Sequence, residues 1–189
     1  MKFLNNLSLT TKFLSIGIVI VALHGFGLMA FFARMFHQST IEAFVDKARS
    51  IALAAESVRQ EMDEKWDQGL FSTEEVRGYF QAGQMEKVLN TVPVVTAWKA
   101  AMKKATQGQY QFRVPKFEPR NPKNEPDHGL QYRIEGPALT KIKEENLSEY
   151  FIIDEQQNAV RYFLPIRLTK TCLMCHGDPA TSEKLWGMS

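Results

Sequence analysis

The chain has 189 residues, with 23 Lys and Arg against 21 Asp and Glu and a formal net charge of +2. This length suits one modest domain plus an appendage, and the charges form no long block of one sign, so the composition indicates no nucleic-acid or acidic partner. Two cysteines are too few to build a disulfide scaffold, so the fold must depend on a hydrophobic core and the cysteine pair must be explained by its chemistry.

The first predicted element is a transmembrane helix at Phe13–Ala33. These 21 residues contain no Asp, Glu, Lys or Arg, and at about 1.5 Å per residue a helix of this length crosses a hydrocarbon layer of roughly 30 Å. A cleaved signal peptide is the alternative, but the sequence AFFARMF is a poor cleavage site. Lys2 and Lys12 favour a cytoplasmic N-terminus, residues 1–12, and export of residues 34–189.

A long helix is predicted after the membrane. Apolar residues recur in steps of three and four, which indicates one continuous apolar seam. The seam consists of Ile41, Phe44, Ala48, Ile51, Ala55, Val58 and Met62. Two interpretations stay open: a dimeric coiled coil that continues from the membrane, or a helix that lies on the core of its own domain.

Shorter elements follow. Ser72 and Glu75 have capping-box spacing and predict the start of a helix, and a further helix is expected from Val94 to about Thr106. The segment Gln109–Phe117 has a strand-like pattern. The next residues, 118–129, are rich in Pro, Asn, Asp and Gly, which predicts an irregular loop.

The last elements before the cysteines are a helix and a β-hairpin. Pro137 suits the first turn of a helix. Aromatic and β-branched runs on both sides of the sequence EQQN predict a hairpin within Glu149–Leu168, in which Pro165 requires an edge or irregular position. The whole order predicts an α+β fold: an N-terminal transmembrane helix, a long helix, and an antiparallel sheet with flanking helices.

Both cysteines lie in the sequence TCLMCHGDP, residues 171–179. A c-type haem needs two thiols for its two vinyl groups and a histidine for its iron, and Cys172, Cys175 and His176 have that C-x-x-C-H spacing. A thioredoxin-like pair would require a following helix, which Gly177 and Pro179 oppose. A zinc site lacks a second cysteine pair, and a plain disulfide leaves the histidine unexplained. We therefore predict one covalently bound haem c.

Two longer stretches carry a family resemblance. PRNPKNEPD (residues 119–127) and RYFLPIRLTKTCLMCHGDPA (residues 161–180), with LWG at residues 185–187, resemble a family of haem-binding, PAS-like sensor domains. Such domains occur alone or as the periplasmic part of bacterial chemotaxis receptors and sensor histidine kinases. The resemblance covers about residues 41–187. It implies a PAS-like antiparallel sheet, a signalling role for the long helix, and haem carried at Cys172, Cys175 and His176.

The apolar span and the N-terminal lysines, together with the periplasmic setting that the resemblance implies, give the expected topology. The chain is expected to be a single-pass protein of the inner (cytoplasmic) membrane with its C-terminal domain in the periplasm. The partners expected are the lipid bilayer, a second copy through the long helix, and a small ligand or redox partner at the haem. Family domains usually continue past LWG into further strands, so a chain stopping at Ser189 is expected to be a fragment or a truncated form.

Two functions remain open from the sequence. In the first, a redox change or a small ligand at the haem alters the domain, and the long helix carries the change to the membrane. In the second, the protein is a membrane-anchored monohaem cytochrome that transfers electrons. The roughly one hundred residues before the haem motif favour the sensor, because a carrier needs only a small haem-enclosing fold. No residue pattern indicates an enzyme.

The second axial position of the iron is also open, as is the role of the Pro-rich loop. The candidates for the axial position are His128, Met62, Met85 and Met102, with water or no ligand as the alternatives. Arg120, Asn121 and Asn124 could bind haem propionates, which need cationic or amide donors. A plain polar turn is the alternative for that loop.

Overall fold

The computed structural model describes residues 8–119, 121–169 and 172–173. The chain forms two compact units, one ending at Phe44 and the other beginning at Val45. The division between them falls within helix α1, which is Leu9–Asp67.

The first unit contains the apolar part of α1. No residue of the predicted membrane span is buried, and Phe13 and Phe26 are among the most exposed. Of the described helices, α1 is the one that is long and apolar enough to cross a membrane. His24 lies within that span, and its Nδ1 is hydrogen-bonded to the carbonyl oxygen of Ile20, 2.9 Å away.

In the second unit, one face of α1 packs on the rest of the domain. The buried residues of this face are Val45, Ala55, Arg59, Met62, Asp63 and Trp66. The indole Nε1 of Trp66 donates a 2.7 Å hydrogen bond to the carbonyl oxygen of Thr91, and its ring lies 5.5 Å from that of Phe71. From Val45 onward, α1 is therefore a helix on the core of its own domain. The dimer through the long helix stays a prediction.

Four short helices follow α1. They are α2 (Thr73–Gln81), α3 (Met85–Thr91), α4 (Pro93–Met102) and α5 (Ala105–Gly108). The hydroxyl of Ser72 accepts the N–H of Glu75 at 3.1 Å, so the predicted start of α2 is confirmed. The sequence analysis missed α3, and the single helix expected after Pro93 is interrupted between α4 and α5.

The segment Gln109–Phe117 does not form the expected strand. Gln109 ends α5 in a left-handed conformation, with φ at 53°, and the following residues have no ladder partner among the described strands. The irregular loop after it is confirmed, and it contains one short 3-10 turn, Pro122–Asn124. Helix α6 is Glu135–Glu144, with Pro137 in its first turn as predicted.

The predicted hairpin is also confirmed. Strand β1 (Tyr150–Asp154) pairs antiparallel with β2 (Ala159–Phe163), and Ile152 lies opposite Arg161. The ladder ends before Pro165, which has no N–H to donate. Mostly helical elements with one small antiparallel sheet make this an α+β fold.

Candidate functional site

The structure describes one of the three predicted haem residues. Cys172 is half-buried, and its thiol is free. Cys175 and His176 lie outside the described residues, as does Arg120. Within the described ranges, no group of three or more His, Cys, Asp or Glu side chains comes together as a metal site.

Cys172 is held by a tight turn with Thr169. The N–H of Cys172 donates to the carbonyl oxygen of Thr169 at 3.1 Å. In the other direction, the N–H of Thr169 donates to Sγ of Cys172 at 3.3 Å, and the Thr169 hydroxyl lies at the same distance from this sulfur. The backbone and the hydroxyl of Thr169 therefore fix where the thiol of Cys172 lies.

The same threonine joins this turn to helix α1. Its hydroxyl donates a long hydrogen bond, 3.4 Å, to Oδ2 of Asp63. Asp63 is buried, with 8% of its surface exposed. Cys172, Thr169 and Asp63 thus form a contact path between the predicted haem attachment turn and the buried face of α1.

Asp63 belongs to a buried charge cluster on α1, formed with Glu56 and Arg59. Arg59 donates to both oxygens of Glu56, at 2.8 and 2.7 Å, and its Nη1 donates to Oδ2 of Asp63. The hydrogen bond from Arg59, opposed by burial, lowers the pKa of Glu56. The hydrogen bond to Glu56 raises the pKa of Arg59, which stays cationic. Two carboxyl groups therefore share one guanidinium.

One atom of this cluster is unsatisfied. Oδ1 of Asp63 is buried and has no hydrogen-bond partner among the described residues. Buried carboxylate oxygens are almost always hydrogen-bonded, because leaving one unpaired costs roughly 1 to 3 kcal/mol. The missing donor therefore has to come from a bound group, from water or from residues outside the described ranges.

The residues before Cys172 also fit an apolar ligand. Ile166 and Leu168 are 44% and 57% exposed, whereas Arg167, between them, is bound to Oδ1 of Asn146 at 2.8 Å. Large apolar side chains left in water next to the predicted attachment cysteine suit the face of a porphyrin, which is apolar. This exposure and the orphaned acceptor of Asp63 are the two features of the described residues that fit a haem.

The Pro-rich loop is ordered by its own carboxylates. Asp127 accepts the backbone N–H groups of Ile134 and Glu135 through Oδ1, at 2.6 and 2.5 Å, and that of Gly136 through Oδ2, at 3.0 Å. In return, Glu135 accepts the N–H of Asp127 at 2.8 Å. The loop thus caps helix α6, which explains its order without any haem propionate.

The remaining polar groups of the loop bind within it or next to it. Asn121 accepts the N–H of Lys123 through Oδ1 at 3.1 Å. The carbonyl oxygen of Asn124 accepts the N–H of Lys116 at 2.9 Å. These contacts match the plain-turn interpretation for Asn121 and for the backbone of Asn124, and the propionate role of the loop stays a prediction.

The candidate axial ligands differ in burial. His128 is exposed, and its carbonyl oxygen accepts a 2.8 Å hydrogen bond from Arg113. Met85 and Met102 are 39% and 40% exposed, whereas Met62 is buried beside Asp63 on α1. No described contact selects one of them for the iron.

Sequence reasoning missed Arg59, Asp63 and Thr169. A signal was available for the first two, because two charged residues four apart interrupt an apolar line that continues to Trp66. Arg and Asp are rarely buried unless they are paired. Thr169 carries no such signal, because its role depends on the turn that it forms.

A family model described as Tll0287-like matches residues 37–189. The matched region contains the whole hairpin, the Pro-rich loop and the C-x-x-C-H motif. No curated protein matches the chain significantly, and the same is true of the solved structures.

Proposed function

The chain belongs to the Tll0287-like family, known as haem-binding sensor domains, and from that premise we propose that it is a membrane-anchored periplasmic sensor with one covalently bound haem c. The observation that carries the proposal is the contact path from Cys172 through Thr169 to Asp63. A sensor needs a route from its cofactor to a signalling element, and this path ends on α1.

Cys172 and Cys175 would hold the porphyrin, and His176 would bind the iron. Each thiol would add across one vinyl group of the haem, forming a carbon–sulfur bond while its hydrogen goes to the neighbouring vinyl carbon, so that the addition has no leaving group. The haem supplies a one-electron redox centre and a site for a small ligand. Thr169 orients the first sulfur, and the exposed Ile166 and Leu168 would cover part of the ring.

The signal would reach the membrane along α1. In this proposal residues 13–33 cross the inner membrane, residues 1–12 are cytoplasmic, and the domain lies in the periplasm as a homodimer through the long helix. The sensed event is a change of haem oxidation state or the binding of a small ligand at the iron. A membrane-anchored monohaem electron carrier would use the same attachment but would need no response in α1.

Hydrogen exchange separates the sensor from the carrier. Full-length, haem-loaded protein in nanodiscs is measured oxidised and reduced, with mass spectrometry of peptides from α1. We expect the protection of the amides around Asp63 to change with oxidation state, while a peptide from α2 does not change. Identical protection of α1 in the two states would contradict sensing through this helix and favour the carrier.

A further inference from the structure

Asp63 is a buried acidic residue that contacts the predicted attachment turn. Its carboxylate accepts a hydrogen bond from the hydroxyl of Thr169, which also lies 3.3 Å from the sulfur of Cys172. Its Oδ2 also accepts from Arg59, whereas Oδ1 is buried without a partner in the described ranges. One side of this anion is therefore available to a neighbouring group.

We propose that Asp63 sets the reduction potential of the haem and couples the oxidation state of the iron to helix α1. This inference rests on the proposed function and assigns a positioning and electrostatic role within the same site. Ferric haem carries one more positive charge than ferrous haem. A buried carboxylate therefore stabilises the ferric form and lowers the potential, because water screens the interaction poorly in the interior.

The other carboxylates of this part of α1 are less suited to that role. Glu56 is two helical turns away, roughly 10 Å along the axis, and both of its oxygens are bound to Arg59. Glu61 is only two residues from Asp63, but 63% of its side chain is exposed and it pairs with Lys65 at 3.4 Å. Burial and the link through Thr169 thus distinguish Asp63 from both.

In this proposal Asp63 also transmits a change in haem oxidation state to helix α1. With a haem held at Cys172, a change in the charge of the iron would alter its attraction for the Asp63 carboxylate, while the hydrogen bond from Arg59 to Asp63 would remain. Arg59 and Asp63 lie one turn apart on α1, so this shift changes contacts on the buried face of the helix. The proposal thus gives the sensor a definite first step on the protein side.

Potentiometric titration of the haem-loaded, full-length protein tests the proposal. Asp63→Asn keeps the size of the side chain and removes its charge, and we expect a clear positive shift of the midpoint potential. Glu61→Gln is the matched control: it removes the same charge from the same helix at an exposed position, and its potential should equal that of the wild type. Equal potentials for Asp63→Asn and Glu61→Gln would overturn the proposal.

A second variant tests the role of Asp63 if Asp63→Asn does not fold. Thr169→Val keeps the carboxylate but removes the hydroxyl that partly neutralises it, so the potential should fall, opposite to the effect of Asp63→Asn. A potential unchanged in Thr169→Val would then overturn the role of Asp63. Wild-type protein without covalent haem would overturn the proposed function as well, whereas haem-loaded variants with wild-type potentials overturn this inference alone.

Discussion

Arg49 of helix α1 forms a bidentate ion pair with Glu149, which immediately precedes the hairpin. Its Nε and Nη2 donate to the two carboxylate oxygens of Glu149, both at 2.9 Å. The hydroxyl of Tyr162 on β2 donates to the same carboxylate. Helix α1 is thereby joined to both strands by one acidic side chain, 100 residues away from Arg49 in sequence.

This pair should make the stability of the domain depend on pH. The hydrogen bonds from Arg49 and then Tyr162 lower the pKa of Glu149 from 4.5 to about 2. A lowered folded-state pKa stabilises the fold above pH 4.5, and the contribution disappears as the pH falls from 4.5 toward 2. When urea unfolding is measured between pH 7 and pH 3, the free energy of unfolding should fall less in Glu149→Gln than in the wild type. If the two proteins lose the same free energy of unfolding over this range, the proposed role of Glu149 is contradicted.

The cap that Asp127 forms on α6 should contribute to the stability of the domain. Asp127→Ala removes the acceptor of three backbone N–H groups, and we expect a loss of about 1 to 2 kcal/mol in the free energy of unfolding. Asp127→Asn keeps one acceptor oxygen and should lose about half as much. Chemical denaturation of the haem-loaded protein measures both, and equal stability of Asp127→Ala and the wild type would exclude the capping role.

The same carboxylate predicts a second pH effect. Burial alone would raise the pKa of Asp127, but the N–H groups of Ile134, Gly136 and Glu135 outweigh it, and the pKa is lowered below 3.8. Its stabilisation is therefore present above about pH 4 and is lost as the pH falls through the folded-state value. Asp127→Asn cannot ionise, so its unfolding midpoint should fall less steeply in acid. A midpoint that falls as steeply as that of the wild type would argue against the ionised cap.

Covalent attachment of haem is expected to depend on both cysteines. Protein exported in a host with c-type maturation should keep its haem on a denaturing gel, visible by peroxidase staining. The double variant Cys172→Ala, Cys175→Ala should not stain, because no thioether remains. His128→Ala is the control and should stain like the wild type. Staining that survives in the double variant would contradict the haem prediction.

Optical spectra should exclude His128 as the second axial ligand of the haem iron. Its side chain is exposed, and Arg113 binds its carbonyl oxygen, so we expect His128→Ala to leave the ferric and ferrous spectra unchanged. Met62→Leu serves as the comparison, because it keeps a buried apolar volume and removes the sulfur. A change from low-spin to high-spin in His128→Ala would show that this histidine reaches the iron.

Local signals in the sequence were reliable where one residue determines the backbone. Ser72 marks the start of α2 because its hydroxyl accepts a backbone N–H of the first turn, and Pro165 marks the end of the strand pairing because it has no N–H to donate. Gln109–Phe117 was wrongly predicted as a strand because its pattern says nothing about a partner strand. Helix α3 was missed because its seven residues give too short a period to recognise.

The candidate site could be only partly predicted. Covalent attachment of a c-type haem requires the C-x-x-C-H spacing, and this spacing can be read directly from the sequence, so Cys172 was identified as a candidate. Asp63 was not, because its importance depends on a contact with Thr169, 106 residues later. The predicted apolar seam was partly right: Ala55 and Met62 are buried, whereas Phe44 is 54% exposed and Val45, one position later, is buried.

The hairpin turn helps to determine the position of Cys172, the first predicted attachment residue. Asp154 at the end of β1 binds Arg161 of β2 at 2.7 Å and the N–H of Gln157 at 3.0 Å, and it also accepts from Tyr132. A slip of one residue would break these contacts and move the following chain by about 3.3 Å. That displacement is as long as the hydrogen bond between Thr169 and Asp63. The position of Cys172 therefore depends on a turn that begins 18 residues earlier, and a change in strand register would also move the predicted haem.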